Sequence, residues 1–332
     1  MYSRRSFLPL MAAPFVGIRA ARHAAAALTA YRVDAVIVLF SKAIYSRSAV
    51  GEGILLHEKL GPSGGLRQIH LSFAGGSRPE RARGLNRFGY FSELASFAPD
   101  DVEEASYFGF MTRSEEQSLA EAMDGLKKEN GQVPVAVIQG ELRGRRHRSL
   151  LANAMLPRGS SWASWWACLK TLVRGLDSGE LLPHETNEEP ETAGMTFLRT
   201  LAAIVEGDPG ERQGRRTFLY GKTPKMVSWT RAADPGAEEH LRARGLVGPG
   251  QKVVRLQASI TSAAGGRPSR FSLWYDPSAR PVLPLRIELQ PRSFLRLRFE
   301  AVPGGAEGLE ARMQEAREAW QTLASGPARA RA

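Results

Sequence analysis

Two runs near the C-terminal end restrict the fold more tightly than any other feature of the chain. Leu283, Leu285, Ile287 and Leu289 alternate with Arg286 and Glu288, and Leu295, Leu297 and Phe299 alternate with Arg296, Arg298 and Glu300. Successive side chains on a strand point to opposite faces, so each run predicts a strand with one core face and one charged face. Such a hairpin cannot bury its apolar side alone and needs a larger sheet around it.

The rest of the chain supplies that sheet. Tyr31, Val33, Ala35, Ile37 and Leu39 alternate with Arg32 and Asp34, and the run turns apolar on both faces from Val36 to Phe40. Strands are also predicted at 43–48, 53–59, 66–74 and 88–94, with a turn at Pro62-Ser63-Gly64-Gly65. The middle changes period. Thr112 to Glu115 has capping-box spacing, and Leu119, Ala122, Met123 and Leu126 follow at helical intervals, which predicts a helix over 114–129. Strands are expected at 133–142 and 145–156, a tryptophan-rich helix at 160–176, and a short helix over 197–205 that stops at Gly207. From Thr217 onward the pattern is again a meander of strands, closed by an amphipathic helix marked by Leu309, Met313, Ala316, Trp320 and Leu323.

Strands, a helical stretch and strands again predict an α+β fold: one large curved antiparallel sheet, an open half-barrel, built from both ends of the chain. The helices between 114 and 206 are expected to cover its concave face. The expected organisation is a signal segment over 1–30, a single β-rich domain over 31–325 with a helical insertion at about 103–206, and a frayed tail at 326–332.

The signal expectation rests on Ser3-Arg4-Arg5-Ser6-Phe7-Leu8, where Arg4 and Arg5 form a twin-arginine export pattern. The apolar stretch from Phe7 to Ile18 behind it is shorter than the roughly 20 residues needed to span a bilayer, and Ala24 to Ala27 offers small-residue cleavage sites. These features predict export in the folded state to the periplasm, with the twin-arginine machinery as a partner and a soluble mature form. At 43% hydrophobic and 24% charged residues the chain is globular in composition. Its net charge is +11, and removing Arg4, Arg5, Arg19 and Arg22 leaves about +7, which favours anionic partners. Outside the cytoplasm nucleic acid is not expected among them. Anionic phospholipid headgroups and acidic wall polymers fit better.

At 271–276 (Phe-Ser-Leu-Trp-Tyr-Asp), 284–288 (Pro-Leu-Arg-Ile-Glu) and 293–297 (Ser-Phe-Leu-Arg-Leu) the chain resembles a group of exported bacterial proteins of unknown function. The segments 84–89 and 107–111 share the likeness. The resemblance implies a β-rich envelope domain similar to the open half-barrels of the lipoprotein carriers LolA and LolB. It transfers no catalytic residue.

Chemical motifs are sparse. Cys168 is the single cysteine, so there is no internal disulfide, no CxxC pair and no cysteine cage for a metal. No glycine-rich nucleotide loop or nucleophile elbow is present, and no cofactor is expected. His57-Glu58 begins like a zinc-protease helix, but the second histidine is missing because residue 61 is Gly61. A metal site would have to join His57 and His70 on neighbouring strands, with Glu52 or Glu58 as a third ligand; no metal is expected. Asp100, Asp101, Glu103 and Glu104 form an acidic loop, and Arg143 to Arg148 a basic hairpin tip. The tryptophan stripe is the strongest remaining signal. Trp162, Trp165, Trp166 and Leu169, with Phe197 and Leu201 of the next helix, form a candidate ligand groove. These observations predict a non-catalytic binding domain for an apolar or amphiphilic envelope molecule, such as a lipid. The competing reading is an exported hydrolase of envelope polymers using carboxylates or histidines.

Overall fold

A computed structural model describes residues 26–39, 42–63, 66–82, 84–97, 102–113, 131–144, 146–183, 185–189, 195–219, 224–262, 268–292, 295–304 and 309–325. The predicted helix at 114–129 and the export segment lie outside the described residues.

The described strands form a single sheet. They are β1 (Ala26–Leu39), β2 (Lys42–Ser63), β3 (Leu66–Ser77), β4 (Phe88–Phe97), β5 (Val102–Thr112), β6 (Val133–Arg143), β7 (Arg146–Leu156) and β8 (Glu185–Glu189) in a first meander. A second comprises β9 (Met195–Thr196), β10 (Gln213–Leu219), β11 (Lys225–Ala233), β12 (Val254–Ser262), β13 (Ser269–Tyr275), β14 (Pro284–Arg292) and β15 (Leu295–Ala301). The strand order runs β8 to β1, then β15 down to β9, and every pair except β9–β10 is antiparallel. The two meanders join where β1 pairs with β15, from Tyr31↔Ala301 to Ile37↔Leu295. Both ends of the described chain therefore meet in mid-sheet, as the sequence pattern predicts. β1 begins at Ala26, so residues 26–30, expected in the signal segment, pair with β2 opposite Glu58 to Ile54.

The sheet curls on itself. In a flat sheet β4 and β10 would stand on the order of 40 Å apart, yet Leu219 of β10 shares a buried cluster with Ala95, Ala105 and Leu142 of β4 to β6. The face that carries these contacts is the inner one.

Helix α1 (Trp165–Ser178), preceded by a 3-10 turn at Trp162–Ser164, and helix α4 (Leu309–Ser325) lie side by side on the outer face of the first meander. Apolar residues at 165, 169, 172 and 173 give α1 one sticky stripe, and Gly179 ends it in the left-handed conformation at φ 76°. Helix α2 (Phe197–Glu206) fills the hollow, with Ile204 and Val205 in one cluster with Tyr31, Phe218, Val227 and Phe299. Helix α3 (Pro235–Ala243) is capped by Asp234, which accepts from the Ala237 amide at 3.0 Å, and covers part of the outer face of the second meander.

Adjacent residues of β4 show how the faces divide. Tyr90 stacks on Trp165 outside at 5.1 Å between centroids, while Phe91 meets Phe197 inside at 6.3 Å. Of the described helices in 114–206, α2 meets the expectation that they cover the concave side, whereas α1 lies on the opposite face. A helical apolar stripe reports that one side is buried, but not which face of the sheet receives it. The interval 103–206 also contributes β5 to β9 to the sheet, so strands and helices alternate within it.

Candidate functional site

The described residues cover the outer face of β11 to β15 only in part, and it carries an open groove of about 500 Å³. Strand alternation builds it. Ser228, Gln257, Ser259, Ser272 and Gln290 project outward and form a polar floor, while Trp229, Phe271 and Leu289 from the same strands pack in the inner core. The register aligns Ser228↔Ser259↔Arg270 in one row and Gln257↔Ser272↔Glu288 in the next.

Three arginines edge this floor: Arg255, Arg270 and Arg296. The Arg255 guanidinium lies 5.2 Å from the centroid of Trp274, whose Nε1 donates to Asp234 at 2.8 Å. The cap of α3 thus fixes the aromatic plate on which Arg255 rests. Glu288 holds Arg298 at 2.8 Å and stands 3.6 Å from Arg296. Arg270 is exposed on the rim. One carboxylate among these cations leaves the groove positive.

Further along the outer face of β14 and β15, towards α3, lies a tight ionic knot. Glu300 accepts from Arg286 at 2.9 Å and pairs with Arg244 at 3.0 Å and His240 at 3.2 Å. Burial pushes the Glu300 carboxyl upward, but the Arg286 hydrogen bond and the surrounding positive charge outweigh it and hold the group below its ordinary range. This knot ties α3 and the turn after it to β14 and β15.

Two further constellations are buried. On the outer face beneath α4, Ser92 Oγ lies 2.8 Å from His70 Nε2, His70 Nδ1 lies 3.4 Å from Glu58 Oε2, and Arg317 donates to the same Glu58 oxygen at 2.5 Å. The order resembles a serine–histidine–carboxylate relay, but Ser92 and His70 are both fully buried under the helix, so the chain has no route to a substrate. Burial lowers the pKa of His70 and favours its neutral form. Its physical role is to fasten α4 to β2 to β4.

The second lies inside. Glu93 of β4 accepts from Thr196 Oγ1 at 2.6 Å, the Leu198 amide at 2.7 Å and the Arg199 amide at 2.8 Å, so it caps α2 from the opposite meander. Burial raises its pKa to about 7 against the opposing effect of these donors. Nearby, Tyr107 Oη lies 2.9 Å from His147 Nε2. A Cβ on Gly140 would sit 2.2 Å from the Tyr107 ring, so only glycine leaves room for that side chain to cross β6.

The residues singled out from the sequence are distributed as follows. Trp162, Trp165 and Leu169 are buried on the outer face with α4, and Trp166 is partly buried beside them under Lys170. Phe197 and Leu201 pack in the inner hollow. The six residues therefore lie on opposite sides of the sheet. Trp162 Nε1 donates to Glu52 at 2.9 Å, which spends both groups on anchoring the turn. His57 and His70 also point to opposite faces: His57 pairs in register with Leu71 and turns inward to within 3.8 Å of Glu206, whereas His70 pairs with Glu58 and faces outward. No single ion can bridge them. Cys168 is buried in the helix core. Glu104 lies on β5, whereas Asp100 and Asp101 fall outside the described residues.

The groove escaped sequence reasoning because its three arginines come from three different strands. Each reads singly as an ordinary outward residue of an alternating run. Glu93 left one signal, a carboxylate at an inward position between Phe91 and Ala95.

No helix of the described residues is long and apolar enough to cross a membrane. Comparison with known proteins finds no matching family model and no matching curated protein. Among solved structures, the chain is similar to a beta-barrel-like protein of a domain of unknown function from Brucella abortus, at 9% identity and a TM-score of 0.44, over 85% of this chain and 98% of that one.

Proposed function

We propose that this chain is an exported, non-catalytic binding domain that holds an anionic molecule of the cell envelope in the groove on the outer face of β11 to β15. One observation carries the reading: the hollow of the sheet is occupied by α2 and its aromatic partners, while the arginine-edged groove stands open. A bound amphiphile would present its charged headgroup here rather than thread its chain between sheet and helices. Guanidinium groups suit carboxylate and phosphate because they donate two parallel hydrogen bonds to them.

Reversing the charge at Arg255, Arg270 and Arg296 together is expected to weaken binding to anionic envelope extract at least tenfold. Wild-type binding should fall as salt rises. Isothermal titration against the extract measures both. Equal affinity in wild type and triple variant would overturn the reading, provided that thermal melts show the variant folded.

Export is proposed from the twin-arginine pattern at Arg4 and Arg5. Because that pair is read by the translocation machinery and not by the fold, replacing both by Lys should trap the precursor in the cytoplasm without changing the domain's melting temperature. Cell fractionation decides it; normal export of the Arg4→Lys, Arg5→Lys precursor would refute the route.

A further inference from the structure

We infer that the ligand of this groove is an acidic, hydroxyl-rich polymer, engaged at several charges at once, rather than a lipid headgroup at a membrane surface. The inference rests on the binding reading above and goes further by naming the ligand's chemistry.

The spacing of the cations is the first argument. Arg255 pairs with Trp274 on β13, and Arg270 lies four positions further along that strand, about 13 Å away. Arg296 lies on β15, with the row Phe271↔Leu289↔Leu297 setting it two strands from Arg270, about 10 Å across the sheet. These are separations between backbone positions, spread along and across the groove. A chain with repeated charges can occupy all three, and linking the contacts raises affinity well beyond any one of them.

The floor is the second argument. Hydroxyls of Ser228, Ser259 and Ser272 and the amide of Gln257 supply both donors and acceptors, which match a ligand rich in hydroxyl groups. An acyl chain finds less, because Trp229, Phe271 and Leu289, which also line the groove, pack most of their side chains in the inner core. Rigidity is the third. The groove is built on paired strands, and Arg255 already rests on Trp274, so less ordering is needed when ligand arrives.

The test uses the mature protein with four probes: size-fractionated polygalacturonate, galacturonate monomer, neutral dextran, and phosphatidylglycerol vesicles. The oligomers are expected to bind at least tenfold more tightly than the monomer, with no measurable binding to dextran or vesicles. Arg255→Glu combined with Arg270→Glu should weaken oligomer binding at least tenfold. Vesicle binding equal to or stronger than oligomer binding, and lost in the same variant, would overturn the polymer while leaving the anionic groove standing. Monomer and oligomer binding alike would refute engagement at several charges. Failure of every anionic probe, or binding unchanged in the variant, would remove both the polymer and the groove as a binding site.

Discussion

Glu93→Ala is expected to destabilise the protein by roughly 3 kcal/mol or more at pH 5 and by clearly less at pH 8. The wild-type carboxyl satisfies Thr196 Oγ1 and the amides of Leu198 and Arg199 at the start of α2. Alanine leaves these buried donors without an acceptor, at a cost of about 1–3 kcal/mol for each. The pH dependence follows from the raised pKa of about 7, against an ordinary value of 4.5. Between these values the folded state keeps a proton that the unfolded chain releases. Stability from this group is therefore fully present below about pH 4.5 and is lost as pH rises towards 7, by roughly 3 kcal/mol in total. Above pH 7 the wild type already carries the cost of a buried charge, so removing the group costs less. Glu93→Gln separates the two effects. Turned so that its amide replaces the oxygen facing Leu198, it keeps an acceptor for Thr196 and Arg199 but leaves the Leu198 amide unmet, so it should lose about 1–3 kcal/mol and show no such pH slope. Urea unfolding of the three proteins at pH 5 and pH 8 makes the comparison, and an equal Glu93→Ala cost at both values would refute it.

The same residue shows where local pattern stops being informative. Alternation along β4 correctly separates an outer set from an inner set, and a carboxylate in the inner set is visible as an exception. Its partners are not visible, because they lie more than a hundred residues away across the hollow. The meander of β12 to β15 was legible for the opposite reason: its partners are neighbours in the chain, and strict period-two patterning dictates register and face together. The helix at 165–178 falls between. Its tryptophan stripe announced burial, but the choice of outer face depends on Tyr90, Phe108 and the α4 residues Met313 and Trp320, none of them local. Strand β2 is a related case. Two separate strands were expected at 43–48 and 53–59, whereas one continuous strand crosses the irregular step at Ala49, where φ reaches 55°. Long pairing with β1 on one side carries the strand across a break that propensity alone would place there. The groove follows the same logic at a larger scale. Its parts are individually commonplace outward residues, and only the register of five strands sets three arginines around one polar floor.

Leu297→Asp should destabilise by at least about 3 kcal/mol, while Arg296→Asp should cost under about 1. The register opposes Leu297 to Ala35 on one side and Leu289 on the other, and its side chain packs against the inner cluster that holds Phe299 and Ile287. A carboxylate at this partly buried position would be placed against apolar groups, and either its desolvation or its forced protonation falls on the folded state. Arg296 points the other way. Its guanidinium is a third exposed and stands 3.6 Å from Glu288, so reversing its charge removes a weak partly solvated pair and adds a repulsion that water screens. Adjacent residues thus report opposite faces of one strand, and the contrast between them is independent of what the groove binds. Thermal or urea melts of the two variants measure it directly. Equal stabilities would mean that β15 is slipped by one residue against β1 and β14, because a slip of one exchanges the two faces. In that case Arg296 would turn inward, the arginine edge of the groove would lose one of its three cations, and the spacing argument for a polymer ligand would fall with it.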